Sequence, residues 1–135
     1  MVVLAVLAGG VILAINPAKR IHQANDTRIQ NDIGQIATAL QAYYTENQSY
    51  PSDTAGVGAL VTNGDLKQVP TPPSGSNASY QYDAKEANCA PATATLCTEA
   101  RVYATMLDPV VAGSTWCWRS VTGQASEQTV ANCAP

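Results

Sequence analysis

Four cysteines, Cys89, Cys97, Cys117 and Cys133, are the residues best equipped for chemistry in this 135-residue chain. No two of them form a C-x-x-C pair and His22 is the lone histidine, so a zinc site would lack ligands. An even count reads instead as two disulfides outside the cytosol; the alternative is four reduced, buried thiols in a cytosolic chain. Four cysteines allow three connectivities. The pairs Cys89–Cys97 and Cys117–Cys133 each close a local loop, and closure costs less for short loops, so that pairing is expected. Asp53 and Asp65 with the loop between them are too sparse a ligand set for Ca²⁺ and read as solvated carboxylates. Asn25, Asn47 and Asn77 open N-x-[ST] triplets, which arise by chance in a chain this rich in Asn, Ser and Thr. No nucleophile–base pair can be assembled from these groups. No catalytic residue, cofactor or metal is assigned, and the chain is not read as an enzyme.

Composition points the same way. Charged residues are 13% of the chain, against about 25% in ordinary soluble domains. Seven Lys+Arg and ten Asp+Glu give a net charge of −3, which argues against direct nucleic-acid binding. The surface must be polar yet nearly uncharged.

These groups are positioned by two very different stretches of chain. Residues 1–15, MVVLAVLAGGVILAI, hold no polar side chain. As a helix they span only ~22 Å, short of the ~30 Å hydrocarbon core of a bilayer. The run is apolar all round, unlike a core helix, and lacks the basic start of a signal peptide. It reads as part of a membrane segment. Gly9, Gly10, Asn16 and Pro17 mark a weak stretch, because Gly lowers helix stability and Pro removes a backbone bond. That stretch is expected either to kink or to unwind when neighbouring copies satisfy its backbone. Lys19, Arg20 and His22 then form a small basic cluster suited to a membrane edge.

From Ile29 the apolar positions Ile29, Ile33, Ile36, Leu40, Tyr43 and Tyr44 fall at helical spacing, with Gln30, Asn31, Asp32, Gln35 and Thr38 between them. The pattern fades over Glu46–Ser49 and Pro51 closes it. Read as one element, residues 1–47 form ~70 Å of helix, too long to bury in one small domain. Gly34 weakens it and leaves room for close packing. Three parts follow: 1–25, an apolar half; 26–49, an amphipathic half that packs on a head; and 50–135, the head.

Within the head, Asp53 is expected to cap a short helix ending near Val61, and Asn63-Gly64 is a turn. Strands are expected at Ser79–Asp83, Arg101–Leu107 and Thr115–Arg119, with a hairpin turn at Thr122-Gly123. They form a small antiparallel sheet covering the Ile29–Tyr44 stripe. The head has four basic and seven acidic residues and no Phe, so its core is thin and two bridges at ~2–4 kcal/mol each would matter. Trp116 and Trp118 share one strand face; one Trp inside is ordinary packing, and the two together are a candidate contact surface.

The apolar run, then NPAKR, then DIGQIATALQAYYTENQSYP resembles the N-terminal helix of type IV pilins and type II secretion pseudopilins. GALVTNGDLKQVPTPP with SYQY and the late Trp/Cys strand is similar to pilin heads of Gram-positive and related bacteria. The family's basic leader, glycine cleavage site and first mature residues have no counterpart here, and Met1 aligns just after them. The resemblance therefore implies that this sequence starts inside the family's N-terminal segment.

It also implies an α+β fold, a long helix packed by its second half on a small antiparallel sheet. The implied subunit is the major pilin of a type IV pilus serving adhesion, twitching motility or DNA uptake. A pseudopilin of a secretion machine and a tethered binding module are the alternatives. The subunit would wait in the cytoplasmic membrane, be processed by a prepilin peptidase with a methylated N-terminus, and be assembled by the pilus machinery into a cell-surface homopolymer. Filament-core packing would fall to Met1, Val2, Val3, Leu4, Val6, Leu7, Val11, Ile12, Leu13 and Ile15.

Overall fold

A computed structural model describes residues 16–86, 88–91 and 93–135. The expectations for residues 1–15, including the helix-weakening pair Gly9-Gly10 and the filament-core set from Met1 to Ile15, lie outside the described residues.

Helix α1 runs Pro17–Asn47, 31 residues and about 47 Å long. Asn16 is extended and its side chain accepts a hydrogen bond from the Lys19 N–H at 3.3 Å, while Pro17 stands in the first turn, where a missing N–H costs nothing. Asn16 and Pro17 thus start the described helix. It ends at Gln48, whose left-handed φ of 54° lets its N–H return to the Tyr44 carbonyl at 2.8 Å.

A six-residue helix α2 (Gly58–Asn63) follows and buries Leu60. Its N-cap is Val57, with no side-chain bond. The cap expected from Asp53 is therefore corrected: that carboxylate accepts the Ala84 N–H and ties the post-helix turn to the sheet. Asn63-Gly64 closes α2 as a turn, with Gly64 at φ 93°.

Strands β1 (Gln81–Ala84), β2 (Ala100–Thr105), β3 (Thr115–Arg119) and β4 (Gln124–Gln128) form one antiparallel meander in the order β1-β2-β3-β4. A 3₁₀ turn, Val130–Cys133, ends the fold. The first strand begins two residues later than the Ser79–Asp83 pattern predicts, because Tyr80 serves the helix rather than the ladder. The second ends before Leu107 for the same kind of reason, since the Leu107 N–H bonds to Asp26.

Register explains the packing. Val102 lies opposite Trp118, and Ala104 opposite Trp116, so one face alternates large and small side chains. That face meets Ile29, Ile33, Ile36 and Leu40, all fully buried. Each such aliphatic side chain contributes roughly 1.5–3 kcal/mol on leaving water. Trp118 is only 3% exposed and belongs to this core, and Trp116 is half-buried against it. The reading of the pair as a contact surface is therefore corrected: a thin core without Phe uses them for bulk. Gly34 is corrected too, since it lies exposed with no atom within 4 Å of a would-be Cβ.

The chain forms both bridges, Cys89–Cys97 and Cys117–Cys133. The second brings the terminal 3₁₀ turn onto β3. There Arg101 donates to the Cys133 carbonyl at 2.6 Å, pairs with Asp83 at 2.6 Å and stacks 4.9 Å from the Tyr103 ring centroid. This is an α+β fold, a long helix packed on a four-stranded antiparallel sheet.

Candidate functional site: the helix–head junction

Residues 16–24 of α1 and its cap are all exposed, and burial begins in earnest at Asp26. The helix therefore leaves the head before its first two turns. Asp26 is 4% exposed and sits three residues before Ile29, in phase with the apolar stripe. Its Oδ1 accepts the Leu107 N–H and its Oδ2 the Asp108 N–H, both at 2.7 Å. A buried carboxylate must be met by donors, and here two backbone groups of the β2–β3 loop meet it. One turn earlier, Gln23 donates to Asp108 at 3.2 Å.

Asp32 repeats the device. It accepts the Tyr80 hydroxyl at 2.6 Å and lies 3.8 Å from Arg28, which donates onward to the Thr71 carbonyl at 3.2 Å. Burial, and then the bond to the Asp32 carboxylate, push the Tyr80 hydroxyl well above the usual tyrosine range. Tyr82 is shifted upward mainly by burial, aided by nearby Asp53, and donates to the Pro51 carbonyl at 2.7 Å. At the far end of α1, Tyr43 is buried and half-buried Tyr44 stacks on Tyr50, 4.6 Å between centroids. Ser49 accepts the Cys97 N–H at 3.0 Å and Tyr50 donates to the Cys97 carbonyl at 2.9 Å. The helix is thus fastened to the head at three levels.

Sequence reasoning finds the stripe Ile29, Ile33, Ile36, Leu40, Tyr43 and Tyr44 but misses Asp26 and Asp32 as fasteners. The signal for Asp26 exists: a carboxylate on a stripe position must have partners inside.

A groove of about 530 Å³ between α1 and α2 is lined by Tyr43, Ala55, Gly58, Ala59, Thr62 and Asn63. Among the described residues no group of three His, Cys, Asp or Glu side chains could hold a metal ion. Asp53 and Asp65 are instead engaged by the Ala84 N–H and the Asn63 side chain. Also among them, no helix is long and apolar enough to cross a membrane.

The family model described as type II secretion system (T2SS), protein G matches residues 16–88, more than half of the chain. The matched segment holds α1, α2 and β1 and ends one residue before Cys89. No curated protein and no solved structure matches the chain. The match places this chain in the type II secretion protein G family, as a pilin-like, structural subunit of a secretion or pilus system, and the helix-on-sheet architecture is consistent with that.

Proposed function

We propose that the chain is the major, repeating subunit of a type IV pilus, held in the cytoplasmic membrane before assembly and polymerised through residues 1–15. The observation that carries this reading is the exposed start of α1. A helix clamped to its head from Asp26 onward, with one further bond at Gln23, is exposed over residues 16–24 and is preceded by fifteen residues without a polar side chain. Such a stretch is stable in lipid or among copies of itself, and not in water. The core set of Met1, Val2, Val3, Leu4, Val6, Leu7, Val11, Ile12, Leu13 and Ile15 packs against siblings, with Gly9, Gly10, Asn16 and Pro17 as the place where helix gives way to the projecting rod.

A pilus rather than a secretion pseudopilus is favoured by how the head is closed. Two disulfides and the Asp26 and Glu127 carboxylates hold its loops, and all four cysteines lie outside the segment shared with protein G. The secretion pseudopilus is the second reading, favoured by the family match itself. Electron microscopy of filaments sheared from cells, with intact-mass analysis of their subunit, tests the choice. Long surface filaments made of this chain support the pilus. Their absence, together with loss of protein secretion on deleting the gene, supports the pseudopilus.

A further inference from the structure

Glu46 and Asp65 converge on one amide. The Asn63 side chain donates to Glu46 at 3.0 Å and to Asp65 at 2.8 Å, so two carboxylates share a single neutral donor. Like charges held this close repel one another unless a cation joins them. Among the described residues the ion pairs are Arg28–Asp32, Lys85–Glu99 and Arg101–Asp83, and Lys67, just beyond Asp65 in sequence, is in none of them. Asn63 also lines the α1–α2 groove, whose wall includes Tyr43, Ala55 and Ala59. A mainly apolar slot that ends on two carboxylates suits a lysine, with its carbon stem along the wall and its ammonium on the acids.

The opposite end of the same helix carries a lysine in no ion pair among the described residues. Lys19 is exposed on the stretch of α1 that precedes the first contact with the head, at Gln23. Glu46 follows Lys19 on this helix by about seven and a half turns and about 40 Å. The half turn puts the two side chains on opposite faces of α1. A parallel copy set beside the first and raised by that distance therefore turns its Lys19 toward this Glu46. Height and face are fixed by one relation within one helix. The Gln23 level of the raised copy then falls past the Asn47 end of the lower helix.

We propose that Lys19 of a second copy of this chain docks in the α1–α2 groove, its ammonium on Glu46 and Asp65, and that the contact repeats from copy to copy. Donor and acceptor are different patches, so the contact is open-ended, as a filament requires. The inference rests on the filament reading above and adds to it a charged contact between one subunit's exposed helix start and the next subunit's groove.

The test treats filaments of the unaltered chain with a carbodiimide, which joins a paired ammonium and carboxylate as an amide and takes up the released water as a urea. Lys85 and Glu99, paired within one chain, are the internal control. The filaments should give a ladder of covalent oligomers, and peptide mass spectrometry should find Lys19 joined to Glu46 or Asp65. Filaments that cross-link Lys85 to Glu99 but never Lys19 to Glu46 or Asp65 overturn the inference alone. Failure of the unaltered chain to make any filament overturns the filament reading with it. Lys19→Glu should lower filament yield about tenfold, and adding Glu46→Lys should recover it. Both side chains are exposed, so neither change disturbs the core. No recovery overturns the proposal, and loss of the Lys19→Glu subunit from membranes would then assign Lys19 to lipid headgroups.

Discussion

The hydroxyl of Ser49 accepts the backbone N–H of Cys97 at 3.0 Å, both residues fully buried. The turn that ends α1 is thereby seated on one half of the Cys89–Cys97 bridge. Helix and head are joined at this end by a disulfide-framed loop, and at the other by the Asp26 carboxylate.

Removing a bridge should loosen the end that it frames. Replacing Cys89 and Cys97 by Ser should lower stability by about 2–3 kcal/mol, and replacing Cys117 and Cys133 by slightly more, since the second closes the longer loop, 16 residues against 8. Urea denaturation of each double variant checks this. Equal midpoints with and without the bridges would contradict it.

Asp26→Ala leaves two half-buried N–H groups without their acceptor and should cost about 2 kcal/mol. Asp26→Asn keeps one acceptor oxygen and should cost roughly half as much. Hydrogen exchange should show the Leu107 and Asp108 amides losing protection first. Retained protection in Asp26→Ala would show that the loop is held by something else.

Tyr80 and Tyr82 have hydroxyls raised above the ordinary value of 10.0, by burial first and then by neighbouring carboxylates. The folded state thus holds the proton more tightly than the unfolded chain. Their contribution is complete below pH 10 and declines as pH rises from there through the still higher folded values. Stability should be flat across neutral pH and fall on the alkaline side. In Tyr80→Phe and Tyr82→Phe that alkaline decline should be shallower, as read from denaturation midpoints across pH.

Gly34 sits in the interior of α1, exposed, with open space where a Cβ would stand. Gly34→Ala should therefore stabilise the subunit by about 1 kcal/mol. A thermal melt of the variant checks the sign. A lower melting point would mean that the methyl group meets something on the helix surface.

Much of this fold was legible in the chain because period and punctuation agree. The stripe from Ile29 to Tyr43 repeats at helical spacing, and local loop closure picks out the observed cysteine pairs. Thr115–Arg119 alternates as a half-buried strand must. What stayed hidden depends on partners distant in sequence. Asp53 looks like a cap until Ala84 arrives from 31 residues away to claim it. Two tryptophans on one strand look like a contact surface until their face is set against Ile33 and Ile36. Strand β4 is nearly all polar, QASEQ, and is recruited by the Gly123 turn and by pairing with β3 rather than by any pattern of its own.

The central claim is that residues 1–15 find their burial in other copies of the chain and not in the head. Sedimentation of the intact 135-residue chain in buffer without detergent tests it most directly. The account predicts species far heavier than the 14.1 kDa subunit, collapsing to monomer once residues 1–15 are removed. A single monodisperse boundary at the monomer mass for the intact chain would contradict it.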